Sequence, residues 1–364
     1  MAAPLLLRHA GLLAGLVVLS AATVRGMIAL DVTDHPDERK AHVHPTPKSG
    51  GVGIVAAFLV GVAVLYEEPG HFARLAGPYY HGLILAAAAI ALVAFLDDLR
   101  DWPFTVKLAA QILAALAAVG SGLYVRVYDL PFWGPVDFGA WGGPLTLFWI
   151  LFATNAMNFI DGLDGLAGGV ALIASLFLAA IAASRGGWFV YFAALLLAAG
   201  IGGFLPFNFP RARIFMGDVG SQFCGFVLAI LGVAAARFDG IPLSFLLVPM
   251  LLSGVLFDVG FTLAWRGLAG ENLTRPHRSH LFQLAHRSGM DPRAISLLYW
   301  GFTGFGGIAA LAFLGAPAEA KPLFALLPAV PQLFWVRHVL GRARRAGIWP
   351  ERGGRRRTAG PNSF

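Results

Sequence analysis

The sequence predicts an all-α, polytopic membrane protein of about 11 transmembrane helices with one short periplasmic β-hairpin. Three observations predict it. Apolar runs of roughly 17–25 residues recur along the chain, each long enough to cross a bilayer core. The chain is 57% hydrophobic and only 13% charged, with a mean hydropathy of +0.70. A soluble domain of this size would carry far more charge. Lys and Arg gather in alternate loops, as the positive-inside rule requires.

The spans lie near residues 5–29, 50–66, 80–97, 104–124, 144–159, 166–184, 188–206, 219–237, 241–265, 294–314 and 321–340. The first has no small-residue cleavage site after its apolar core and is read as a span, not a signal peptide. With the N-terminus outside, the loops at 30–49, 98–103, 160–165, 207–218 and 266–293 fall inside, together with the tail. Residues 125–143 alternate apolar and polar around a Gly-Pro turn, which predicts the outer hairpin. Its Trp133 and Trp141 suit the membrane interface. Residues 1–340 read as a single integral-membrane domain. Residues 341–364 read as a basic cytoplasmic tail, expected to be disordered. The net charge of +7 leans on arginines from Arg337 to Arg357. Such a cluster suits topology and anionic lipid, and no aromatic-basic module accompanies it, so nucleic acid is not an expected partner. The single Cys224 excludes an intrachain disulfide. No internal repeat is visible, which counts against inverted-repeat transporters.

The acids carry the functional signal. Asp97 and Asp98 stand in "AFLDDLRD", Asp161 and Asp164 in "NAMNFIDGLDGLAGG", and Asp218 in "IFMGDVGS". A carboxylate beside a membrane is expensive unless it has work or a partner. All five fall on the inner face in this topology. Any one of them could merely cap a helix end. Five at one face point instead to a hard-cation site, because Mg²⁺ takes carboxylate and phosphate oxygens while keeping water. Gly162, Gly165, Gly168 and Gly169 precede a helix whose N-terminus suits phosphate, or else they serve tight turning and helix packing. The first inner loop offers Arg39, Lys40, His42, His44 and Lys48, which suit a phospholipid-like head group or simply obey the positive-inside rule. "NLTRPHRSHLFQLAHRSGM" carries His277, His280 and His286 among Arg275, Arg278 and Arg287. On a helix, His277 and His280 would share a face. Phosphate contact is favoured over metal ligation there; a solvated basic loop is the plainer alternative.

Taken together, these motifs resemble the polyprenyl-phosphate N-acetylhexosamine-1-phosphate transferases, glycosyltransferase family 4. The resemblance runs over about residues 36–290, in order: "HPTPKSGGVGI", "FLDDLRD" followed by Lys107 and Gln111, "NAMNFIDGLDGLAGG", "FNFPRARIFMGDVGS" and the late histidine motif. It implies transfer of a sugar 1-phosphate from UDP-N-acetylhexosamine to undecaprenyl phosphate, with Mg²⁺ as cofactor and Mn²⁺ as a substitute. It places the protein in the bacterial inner membrane with its site facing the cytoplasm, and a homodimer is a candidate assembly. By resemblance, Asp97 positions or deprotonates the lipid phosphate and Asp98 supports the site. Asp218 matches the magnesium ligand. Asn158, Asp161 and Asp164 match positions near the nucleotide and diphosphate. Asn208 matches an asparagine ten residues before the magnesium ligand, and Phe215 an aromatic that stacks on uracil. Lys48, Lys107, His277 and Arg278 join the substrate-binding set, and His280 joins Asp97, Asp98 and Asp161 in the catalytic one.

The chain departs from the family in the histidine motif. Many relatives read His-x-His-His, whereas here the run is His277-Arg278-Ser279-His280. That resembles the branch that starts O-antigen or outer-core chains, sometimes with 6-deoxy sugars, more than the phospho-N-acetylmuramoyl-pentapeptide branch. An ion-coupled transporter is the alternative from another class, since transporters also carry intramembrane acids.

Overall fold

The computed structural model describes residues 2–34, 45–67, 78–100, 102–130, 132–237, 243–273, 275 and 277–349. Arg39, Lys40, His42, His44 and the tail beyond 349 lie outside the described residues. The elements run α1 (Ala2–Leu30), β1 (Thr33–Asp34), β2 (Thr46–Pro47), α2 (Gly51–Glu67), α3 (Pro78–Arg100) and α4 (Phe104–Gly120). Then come β3 (Val127–Leu130), β4 (Gly134–Asp137), a 3₁₀ turn (Gly139–Trp141), α5 (Gly142–Phe159), α6 (Leu166–Arg185), α7 (Trp188–Asn208) and α8 (Gly217–Arg237). The chain closes with α9 (Leu247–Leu251), α10 (Ser253–Leu268), α11 (Leu281–Arg287), α12 (Pro292–Gly315), α13 (Lys321–Leu326) and α14 (Ala329–Arg345). Seven of the described helical segments are long and apolar enough to cross a membrane, with the shorter apolar α2 and α4 beside them. The protein is an all-α, multi-pass membrane protein.

One expected span is broken. Residues 241–265 read as one run, but the helix starts at Leu247 and breaks at Leu252, which adopts φ −91° and ψ 15°. Pro249 would clash with the carbonyl four residues before it, so the helix cannot reach back toward 241. The last expected span is kept as one run, Lys321–Arg345, with Pro328 as a joint between α13 and α14. A proline there has no N–H to continue the preceding turn. The ordered chain also runs past the predicted start of the tail. Ile348 donates its N–H to Ala343, and the buried Trp349 ring lies 4.8 Å from Trp265.

At the centre stands α8. Its most apolar stretch is 94% buried, against 22% for α1. A helix that is apolar all round belongs inside a bundle, and α8 packs against α2, α3, α5 and α7. Trp149 of α5 ties to it by donating to the Ala229 carbonyl. The periphery exposes large apolar side chains, including Leu7, Leu85, Phe148 and Phe334, as a lipid-facing surface would. The predicted hairpin is present: β3 and β4 pair antiparallel, Val127 opposite Asp137 and Leu130 opposite Gly134. Arg126 Nε donates to Asp137 Oδ1 at 2.9 Å across its base, and Trp133 and Trp141 stand exposed.

Candidate active site

The site is assembled where α3 ends, α4 begins, α5 ends and α8 begins. The start of α8 is set by Gly217, whose φ of +74° is a region that L side chains avoid. A Cβ there would also meet Asp98 Oδ2 at 2.4 Å. Asp98 therefore closes over the first turn of α8. Its Oδ1 accepts the Asp218 N–H at 3.0 Å, and its Oδ2 accepts the Val219 N–H at 3.4 Å and the Ser49 hydroxyl at 3.0 Å. Helix N-termini leave N–H groups without partners, and a carboxylate from a neighbouring helix satisfies them here. The loop that brings Ser49 is pinned in turn: Phe215 donates to Pro47, Gly50 to Phe215 and Gly51 to Met216. Lys48 and Phe215, both half-buried, flank this junction.

Lys107 lies between two carboxylates. Its Nζ is 2.6 Å from Asp97 Oδ2 and 3.0 Å from Asp218 Oδ2. Asp97 is buried, and its other oxygen accepts the Trp102 N–H at 2.7 Å. Asp218 Oδ1 accepts Asn158 Nδ2 at 3.0 Å, and Oδ2 also accepts Gln222 Nε2 at 3.1 Å. A chain of amides backs this contact. Asn155 donates to Gln111 Oε1 at 2.7 Å, and Gln111 donates to Gln222 Oε1 at 2.9 Å. Donors thus run through α5, α4 and α8 in one direction and end on the Asp218 carboxylate. Such chains polarise one another.

The 160–165 turn is built otherwise. Gly165 has φ +71°, and a Cβ there would sit 2.5 Å from the Phe209 ring. Its N–H donates to Asn208 Oδ1 at 2.8 Å, and its carbonyl accepts Trp300 Nε1 at 3.0 Å. Asn208 is buried and spends its other end on the Ile214 carbonyl, so it shapes the loop rather than facing a ligand. Asp164 Oδ2 accepts the Ala212 N–H at 2.9 Å. Asp161 differs: among the described residues no group donates to its carboxylate. By accessible surface it is half-buried. Burial, and then the carboxylates of Asp218, Asp98 and Asp164, push its carboxyl up to about 8.

The histidine loop corrects one expectation. His277 and His280 do not share a helix, because α11 begins only at Leu281 with His280 as its N-cap. The two rings still lie 4.9 Å apart. Ser279, the departure from the family motif, sits 2.9 Å by its hydroxyl from His277 Nδ1. Burial, then His280 and Arg266, hold His277 down at about 4, so the free protein presents a neutral ring here. His280 is buried against Phe159, 5.8 Å between ring centres, and this places it beside the 160–165 turn. Arg278 is half-buried, and its carbonyl accepts from Arg287. The sequence reading passed over Ser49, Gln222 and Asp258. Asp258 carried a usable signal, a lone acid within an apolar run.

No group of three or more metal-ligating side chains is assembled among the described residues. The donor chemistry nonetheless fits a hard cation. Asp97, Asp98, Asp161 and Asp218 crowd one end of the bundle, Lys107 pairs with only two of them, and Mg²⁺ needs only one or two carboxylates besides phosphate and water.

Residues 80–236, which hold every acid of the site, match the model of glycosyl transferase family 4. A probable undecaprenyl-phosphate N-acetylglucosaminyl 1-phosphate transferase of Bacillus subtilis is 32% identical over 74% of this chain and 76% of its own length. A decaprenyl-phosphate N-acetylglucosaminephosphotransferase of Mycobacterium tuberculosis is 31% identical, covering 88% of this chain and 86% of its own. An undecaprenyl-phosphate alpha-N-acetylglucosaminyl 1-phosphate transferase of Yersinia pestis is 26% identical over 74% of each. With relatives aligned across most of both chains and the family's acids gathered at one end of the bundle, this chain belongs to glycosyl transferase family 4.

Proposed function

We propose that this protein transfers an N-acetylhexosamine 1-phosphate from a UDP-sugar to undecaprenyl phosphate, with its site on the cytoplasmic face of a bacterial inner membrane. The observation that carries the reading is the convergence of Asp97, Lys107, Asp218 and Asn158 within hydrogen-bonding reach, beside a carboxylate, Asp161, that lacks a donor. Phosphoryl transfer asks a protein mainly for positioning and charge. An oxygen of the lipid phosphate attacks the sugar-proximal phosphorus, the bond from that phosphorus to UMP breaks, and UMP leaves with the electron pair. Asp97 orients the attacking phosphate. Lys107, shared between two carboxylates, swings one of its donors to a phosphate oxygen. Asn158 and Asp164 border the diphosphate, Phe215 stacks on the uracil, and Arg278 with the histidine loop closes over the phosphates. Asp218 and Asp161 are the residues that would hold Mg²⁺, which when bound neutralises charge on the diphosphate and on departing UMP. The relatives' names make N-acetylglucosamine the first donor to assay. The product begins a cell-envelope polysaccharide, and the His277-Arg278-Ser279-His280 run favours an O-antigen or outer-core chain.

Ion-coupled transport gains nothing from this geometry. The acids sit at helix ends, whereas coupling sites lie near the midplane. Purified protein in nanodiscs, given UDP-GlcNAc and undecaprenyl phosphate, should release UMP in step with the lipid, and EDTA should stop it. If no UDP-N-acetylhexosamine or 6-deoxy analogue yields UMP, the proposal fails.

A further inference from the structure

We infer that Asp258 is a positioning residue that holds His280 toward the phosphate site. This inference rests on the transfer reading above. Asp258 lies in α10, is 1% exposed and belongs to none of the motifs of the site. Its carboxylate is surrounded by donors. Oδ1 accepts the Leu281 N–H at 2.9 Å and the Thr262 hydroxyl at 3.4 Å, and lies 3.2 Å from His280 Nδ1. Oδ2 accepts the Phe282 N–H at 3.1 Å and the Tyr299 hydroxyl. Tyr299 is itself held by Trp335 Nε1 at 3.3 Å. One carboxylate thus joins α10 to the first turn of α11, to α12 and to α14.

A carboxylate inside an apolar bundle is costly, and it persists where it is fully hydrogen-bonded and has a task. Capping α11 would need only the two backbone N–H groups. The third contact, to Nδ1, does something else. A ring that donates from Nδ1 keeps Nε2 as the nitrogen left for other chemistry. That ring sits against Phe159, two residues before Asp161 in sequence, while the neighbouring Phe282 ring is 3.0 Å from where a Cβ on Gly162 would be. The 160–165 turn and the histidine loop therefore pack on each other, and Asp258 selects which nitrogen of His280 meets what binds between them.

The test has two arms. In the transfer assay, Asp258→Asn should lower kcat at least tenfold while changing the KM for UDP-GlcNAc less than threefold. The double variant Asp258→Asn/His280→Ala should be no worse than His280→Ala alone, within threefold, because coupled residues fail to add. Multiplying losses would mean that Asp258 only holds the fold, and would overturn the inference. The second arm needs neither activity nor a variant that folds at position 258. Ring-nitrogen NMR of ¹⁵N-histidine-labelled protein, with the His280 signals assigned by their loss in His280→Gln, should show the Nδ1–H tautomer. The Nε2–H tautomer would overturn the inference. A wild-type protein with that Nδ1–H signal but no UMP release would sink the transfer reading and leave the positioning intact.

Discussion

The two acidic groups at one end of the bundle are built in opposite ways. Asp97, Asp98 and Asp218 are held by Lys107, Ser49, Asn158, Gln222 and backbone N–H groups, so every carboxylate has its donors. Across from them, the 160–165 turn has a pinned backbone but presents Asp161 with no donor among the described residues. The first group is pre-organised, and the second holds an acid that burial and its neighbouring carboxylates keep protonated until the pH nears about 8. Preorganised dipoles and charges do not have to reorganise during reaction.

The harshest way to break this contrast is Asp218→Asn. It removes a charge shared by Lys107 and the amide chain, and turnover should fall on the order of 100-fold or more while the protein stays monodisperse on size exclusion. Activity within threefold of wild type would show that the pre-organised group is not the reaction centre.

Next in size is Asp97→Asn, because Asp97 is assigned to the attacking lipid phosphate. We expect kcat to drop roughly 10–100-fold, the usual scale for one positioned polar group, with the KM for UDP-sugar little changed. A normal kcat with a greatly raised KM would move Asp97 to the nucleotide side.

Asp161 is tested through stability. Its carboxyl is raised from the usual carboxylate range to about 8 by burial and then by Asp218, Asp98 and Asp164. A raised acid favours the protonated folded state, so its contribution is complete below the unfolded value near 4. It is lost progressively as pH rises to about 8. In EDTA, the melting temperature of wild type should therefore fall relative to Asp161→Asn between pH 5.5 and 8 and run parallel above that. Excess Mg²⁺ should narrow the gap. Parallel curves throughout would mean that the charge on Asp161 is already balanced.

The smallest effect should come from Gln222→Leu. It cuts the amide chain one step from Asp218, and a net hydrogen bond is worth about 1 kcal/mol, so about fivefold in kcat is expected. A loss as large as that of Asp218→Asn would place Gln222 in contact with substrate.

Much of this was legible in order along the chain. The positions of α3, α5 and α8, the hairpin and the five acids follow from apolar run length, alternation and the cost of charge beside lipid. Those signals are local and need no partner to be read. The broken ninth span was not legible from hydropathy, which does not register where a helix stops within an apolar run. His277 and His280 were expected on one helix face from their spacing, yet they meet through a loop.

By itself, the sequence determined the class of molecule, its spans, and which acids would gather at one end. Solvation energy decides these, and it is summed residue by residue. Tertiary structure alone decided how each acid is used. Asp98 closes the start of α8, Asn208 ties two loops, Asp258 holds His280, and Asp161 is left without a donor among the described residues. The first three outcomes depend on hydrogen-bond partners 22–120 residues away in sequence, and only the packing of the helices on one another brings such partners within hydrogen-bonding distance.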